Sequence, residues 1–140
     1  MALGLLREVG TLCMIDALFS QPNYLAAKKN LDAAVLRQDA IASNIANLET
    51  PGYKRLDVAP SFNSELQRAC AAGDAEQIAG LKPALAVDAN AVAVSRDGNT
   101  VNLENEMLQM NQNVVAHALE VQMVTYNLSR LRTAIAGKSA

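Results

Sequence analysis

One periodic stretch constrains this chain more than any other feature. Between Asn102 and Gly137, apolar residues recur at alternating spacings of four and three: Leu103, Met107, Met110, Val114, then Val121, Val124, Leu128, Leu131 and Ile135. Only His117 interrupts the series. A period of 3.5 keeps one stripe of an α-helix turned toward one partner along its whole length. At about 1.5 Å per residue, such a helix is roughly 50 Å long. A compact domain of this length is only about 30 Å across, so the helix outruns any core the chain could build around it. Its ends carry signals too. Asp97-Gly98 is a turn, Asn102 can cap, and Glu104 and Glu106 place negative charge at the positive end of the helix dipole. Arg130 and Arg132 suit the last turns, and Gly137 suits a left-handed cap.

A second stripe with the same spacing lies near the other end. A helix from about Asn23 to Leu48 places Leu31, Ala34, Ile41, Ile45 and Leu48 on one face, with Gln38 as the exception. Val35 and Ala42 widen that face. The pattern predicts an all-α protein whose long N- and C-terminal helices pair as a coiled-coil-like bundle. Its partner stripe could belong to the same chain or to another copy. The chain then divides into an amphipathic segment over 1–22, a helix over 23–50, an extended or partly ordered middle over 51–100, and the heptad helix over 101–137. The two helices make one elongated domain.

Composition agrees with narrow seams rather than a deep core. Apolar residues make up 51% of the 140 residues, but aromatics are only 4% and tryptophan is absent. Alanine, the commonest residue, packs helices closely and buries little surface. The net charge of -2 offers no basic field for nucleic acid. No run of eighteen apolar residues exists, so no transmembrane segment is expected. Val9 to Phe19 contains Asp16 and lacks a small-residue cleavage site, so no cleavable secretion signal is expected. Residues 1–20 read equally as a mobile end or as an anchoring segment. Cys13 and Cys70 match no metal or disulfide spacing.

The first long helix ends in Asn44-Ile45-Ala46-Asn47, followed by Thr50-Pro51-Gly52-Tyr53. Asparagine costs about 0.6 kcal/mol relative to alanine inside a helix, so Asn44 and Asn47 imply side-chain amides with partners. Thr50 before proline is driven to extended geometry, which stops the helix. Pro51-Gly52 suits a type II turn. Further on, Phe62, Leu66 and Ala69 suggest a helix to about Ala72, capped by Ser61 or Asn63. One more turn over Ala75–Leu81 and short strands in Ala84–Val94 complete the middle.

No reactive constellation accompanies these helices. His117 has no second histidine to share a metal, and in a seam it would set register or bond across to a residue such as Gln38. Met107, Met110 and Met123 read as filling for packed faces. The carboxylates do not converge: Glu104 and Glu106 answer the helix dipole, while Asp32, Asp39 and Glu49 take polar positions. No nucleophile elbow or phosphate loop is present. The expectation is therefore no enzyme, no cofactor and no metal. Even with its ends paired, the last helix keeps a second stripe, Leu108, Val115, Leu119, Met123 and Tyr126. An exposed apolar face of that extent marks an interface. Repeated head-to-tail without closing, such an interface builds a helical assembly.

The Asn-Ile-Ala-Asn and Thr-Pro-Gly-Tyr-Lys run, together with Asp97-Gly98-Asn99-Thr100-Val101-Asn102-Leu103-Glu104-Asn105-Glu106-Met107, resembles the paired signatures of bacterial flagellar rod and hook proteins. The short length and the run from Leu36 to Asn44 point to the short proximal rod members of that family. The resemblance implies a tube of packed terminal helices in the flagellar basal body that transmits torque. It implies export, uncleaved, by the flagellar type III apparatus into the periplasm. The implied partners are other copies, other rod proteins, a FliE-like adaptor and the membrane (MS) ring protein. On this resemblance Asn44, Asn47, Thr50, Pro51, Gly52 and Tyr53 shape the exit of the inner helix, and Leu103 to Ile135 line the tube. The alternatives are another short rod protein, a non-exported coiled-coil adaptor, or a small helical-bundle enzyme dependent on His117.

Overall fold

The computed structural model describes residues 19–93 and 95–136. The segment expected over 1–22 therefore lies almost wholly outside the described residues, as do Cys13 and the Gly137 cap.

Helix α1 spans Pro22–Ala46. Gln21 is extended, and Pro22 occupies the first helical position, where its missing N–H costs nothing. The helix stops two residues before Leu48, its expected end, and Thr50-Pro51-Gly52-Tyr53 closes a turn in which Tyr53 N–H donates to Thr50 O at 3.3 Å. Gly52 has φ 72°, the positive value the third position of a type II turn requires.

Two short strands follow the turn and return. β1 (Leu56–Val58) pairs antiparallel with β2 (Leu85–Val87), with Asp57 opposite Ala86. Between them lie α2 (Pro60–Ala72) and α3 (Ala75–Gly80). α2 begins with Pro60 at its first position and has no side-chain cap, so the expected Ser61 or Asn63 cap does not form. It ends at Gly73, φ 67°, where Asp74 N–H reaches back to Ala69 O at 3.1 Å. That closing pair needs a left-handed residue, which glycine supplies without a Cβ clash. Asp74 then caps α3, its carboxylate accepting from Gln77 N–H at 2.9 Å.

The protein is thus mainly helical with a small two-stranded ribbon, not purely α. The middle, expected as extended or partly ordered, supplies most of the buried residues of one hydrophobic cluster. Val58, Phe62, Leu66, Ala69 and Ile78 bury themselves against Ala33 of α1, with Leu25, Ala26 and Leu36 alongside. Periodicity along the two long helices carries no information about this cluster, because its members come from short elements joined by turns.

Helix α4 runs from Leu103 to Ala136, 34 residues or about 51 Å. Asn102 caps it, its side-chain oxygen accepting from Asn105 N–H at 3.1 Å. α4 lies antiparallel along the side of α1 away from the core cluster, and this is the most extensive contact between elements.

Candidate assembly surfaces and the latch that sets them

Three cross-helix contacts define how α4 meets α1. Glu106 Oε2 accepts from Asn44 Nδ2 at 3.1 Å. Asn113 Nδ2 donates to Ala34 O at 2.8 Å and to Gln38 Oε1 at 3.1 Å. Glu120 Oε1 accepts from Asn30 Nδ2 at 3.1 Å. Glu106, Asn113 and Glu120 are seven residues apart, so they form a heptad line of their own, and it is polar. The face turned toward α1 is therefore not the expected apolar seam. Of that seam, Met110, Val124 and Leu131 are half-buried at its edge. Leu103, Met107, Val114, His117, Val121, Leu128 and Ile135 are exposed. Ile41 is buried on α1, and Ile45 and Leu48 are half-buried. His117 does not bond to Gln38 as expected; Asn113, one turn earlier and inward, takes that partner.

The start of α4 is held by a buried polar latch. Asn44 is fully buried, and each of its side-chain groups is used. Its amide donates to Leu56 O at 2.8 Å as well as to Glu106, and its oxygen accepts from Leu56 N–H at 2.9 Å and Tyr53 OH at 3.4 Å. Tyr53 OH in turn lies 3.1 Å from Ser43 Oγ. Glu106 is also completely buried. Its charge is met by Arg55 Nε at 2.6 Å. The same guanidinium reaches Asp57 at 3.0 Å and Asp88 at 2.8 Å, and Arg37 reaches Asp57 at 3.2 Å. Glu106 thus does more than answer the helix dipole: it is the anionic half of a buried network.

A second set of bonds ties the α1 exit to the α4 entry. Asn99 is buried and shares its amide among the carbonyls of Asn47, Leu48 and Thr50, at 3.0, 2.9 and 2.9 Å. These carbonyls lie in the turn that follows α1. Asn99 Oδ1 accepts from Val101 N–H at 2.8 Å, and Thr100 Oγ1 accepts from Arg55 N–H at 2.8 Å. Asn47 donates to Ser43 O at 2.9 Å and accepts from Thr50 Oγ1 at 3.2 Å, which closes the frayed turn locally. Pro51 and Gly52 are exposed. Sequence reasoning passed over Arg55, Asp57, Asp88 and Asn99. The polar heptad Glu106-Asn113-Glu120 was the one signal available for the α4 face.

The electrostatics fit a structural network. Burial opposes the charge on Arg55, but its bonds to Glu106 and Asp57 outweigh that and push its pKa above the usual value. Burial likewise works against the Asp57 carboxylate. The Val58 N–H, Arg55 and Arg37 win, and its pKa falls below the ordinary aspartate value. A carboxyl with a depressed folded-state pKa contributes stability that is complete above its unfolded value and is lost as pH falls through the folded one. Urea unfolding of the wild type should therefore weaken as pH drops below about 4, and Asp57→Asn should flatten that slope. An unchanged slope would mean that Asp57 is not held this way. The carboxylates that meet Arg55 are occupied by it, and among the described residues no group of three metal-ligating side chains occurs.

A chain whose longest helix bares apolar lines, and whose densest polar cluster ties its own elements together, is an assembly subunit. Comparison with known proteins identifies which kind. Residues 30–54 match the family model for flagella basal body rod protein. The chain is 34% identical over 110 residues to the flagellar basal body rod protein FlgB of Cereibacter sphaeroides, covering 73% of this chain and 84% of that protein. It is 30% identical over 141 residues to FlgB of Salmonella typhimurium, covering 89% and 99%. To FlgB of Escherichia coli K12 it is 33% identical over 128 residues, covering 80% and 90%. The chain belongs to the flagellar basal body rod protein family. It is a structural protein of the flagellar basal body, not an enzyme.

Proposed function

We propose that this protein is a proximal rod subunit that assembles helically through its terminal helices. Copies and other rod proteins pack coiled-coil-like along the exposed line Leu103, Met107, Val114, Val121 and Leu128, and the two long helices act as one axial unit. The observation that carries this reading is the mismatch on α4. Its apolar heptad line stays 40% exposed or more at Leu103, Met107, Val114, Val121 and Leu128, while a polar line faces its own chain. A folded monomer gains nothing from exposing that line, so the line belongs to a neighbour.

In this reading Asn44, Asn47, Thr50, Pro51, Gly52 and Tyr53 fix how α1 leaves the axis. Packed parallel helices resist twisting, which suits transmission of torque from the membrane ring to the distal rod. The family resemblance supports type III export into the periplasm, with a FliE-like adaptor and the MS ring protein as further partners.

Val121→Asp tests the assignment. Val121 is 40% exposed in the single chain, so its urea midpoint should change little. In a packed, dry seam an unpaired carboxylate costs several kcal/mol. The variant should be exported, fold, and fail to build a rod, with motility lost. Normal motility would overturn the seam assignment.

A further inference from the structure

The fold closes one edge of its ribbon and leaves the other open. Ala59 N–H donates to Ala84 O and Asp88 N–H to Arg55 O, with Asp57 opposite Ala86, so these residues carry the bonds inside the ladder. Leu56 and Val58 on β1, and Leu85 and Val87 on β2, therefore turn their backbone groups outward. On β1, side chains meet them. Asn44 bonds both backbone polar atoms of Leu56, and Val58 N–H donates to Asp57 Oδ1 at 2.7 Å. On β2, the outward groups of Leu85 and Val87 have no hydrogen-bond partner among the described residues. Their side chains are 38% and 57% exposed, and no charge or proline interrupts Leu85-Ala86-Val87. An unguarded edge of this kind pairs with a strand that reaches it. A strand-forming segment lies four residues on: Ala91-Val92-Ala93-Val94 is apolar and β-branched at alternate positions. Val92 is 79% exposed, Ala93 is exposed, and neither makes a backbone hydrogen bond among the described residues. The segment does not turn back onto its own β2, which pairs with β1 alone. Arg55 holds Asp88, whose carbonyl accepts from Ala91 N–H at 3.3 Å, and Ala91 and Val92 line a hollow beside Arg55, Thr100 and Asn102.

Resting on the reading of a self-assembling subunit, we propose that residues 91–94 of a second copy add a third strand to the free edge of β2, antiparallel, with Val92 opposite Val87. Leu85 then falls opposite Val94. Outward residues two apart on β2 meet residues two apart on the added strand, so each pair exchanges both of its backbone bonds. The side chains of these pairs join the face that already carries Leu56 and Val58. Charge selects the direction. The antiparallel register brings the exposed Lys82 of one copy and the exposed Asp97 of the other to the same end of the pair. Run parallel, the segment would carry Asp97 toward Asp88, a like charge. Edge and segment are different surfaces, so the contact is heterologous and each copy gives one strand and receives one. It uses neither long helix and is separate from the α4 seam.

The test places two full-length chains with different tags in one flagellated strain. Both carry Cys13→Ser and Cys70→Ala; one adds Val87→Cys and the other Val92→Cys. Strand residues that exchange both bonds have Cα atoms about 5.5 Å apart, within disulfide reach. Oxidation should give a product carrying both tags, and no dimer from either chain alone. Leu85→Pro on the first chain removes an outward N–H and leaves the ladder to β1 intact, because Ala84 and Ala86 make the bonds there. It should keep the urea midpoint near that of the parent and cut the product at least tenfold. Leu85→Thr, which keeps the N–H, should preserve the product. An unchanged yield with Leu85→Pro, a dimer from Val87→Cys alone, a bridge only to another protein, or no product would each overturn the proposal. If the product is absent while Val121→Asp still blocks rod assembly, the α4 seam stands and only this strand falls. A product together with normal assembly of Val121→Asp would keep the strand and remove the seam.

Discussion

Asn44→Ala is expected to lower stability by about 3 kcal/mol, although it removes only a small polar side chain. The side chain is fully buried and answers four groups at once: both backbone polar atoms of Leu56, the Tyr53 hydroxyl and the Glu106 carboxylate. Alanine orphans both backbone groups of Leu56 in a place water does not reach, and takes one partner each from Tyr53, which keeps Ser43, and from Glu106, which keeps Arg55. An orphaned buried group costs about 1–3 kcal/mol, more when charged, and relaxation of the turn recovers part of the sum. Glu106→Ala should cost a similar amount, because it leaves Arg55 with one fewer counter-charge and strands the Asn44 amide. The two losses should not add. In a double-mutant cycle the pair should couple by at least about 1 kcal/mol. Additive losses in urea unfolding would mean that the buried bond between the helices contributes little.

Phe62→Ala is expected to cost about 3–5 kcal/mol, the largest effect of any single truncation in the chain. Phe62 is 3% exposed and sits in the cluster that Val58, Leu66, Ala69 and Ile78 form against Ala33. Aromatics are scarce in this sequence, so no neighbour of comparable size can move in to fill the space. Hydrogen exchange should report the loss over α2, α3 and the ribbon, and also along the face of α1 that they cover. If residues 60–80 were only loosely ordered before assembly, the substitution would cost less than about 1 kcal/mol and those amides would exchange quickly in the wild type.

These two sites also separate what could be read in the chain from what could not. The amides at Asn44 and Asn47 stood out because asparagine is a poor helix residue without a partner. Their bonds are local for Asn47, to Ser43 and Thr50, and long-range for Asn44. The partner Glu106 was visible only as a charge near a helix start, for which the dipole was a sufficient explanation. Arg55 showed no pattern at all, because its three carboxylates stand at Asp57, Asp88 and Glu106, on separate elements. His117 was drawn into the seam by its spacing. Its exposure follows from the polar line one step around the helix, which already occupies the face toward α1.

The amino-acid sequence alone determined that there are two long helices, the start of the last one after Asn102, the turn at Pro51-Gly52, and the excess of apolar surface on the last helix. All of these follow from spacing, caps and backbone restrictions that act over a few residues. Which side of α4 meets α1 was decided only in three dimensions. Asn99 holding the turn after α1, and Arg55 and Asn44 holding Glu106, join residues about fifty or more positions apart, and these bonds rotate the polar line inward. A buried carboxylate is too costly to leave unpaired, so its partners dictate the orientation of the helix that carries it, and the apolar seam is left facing out.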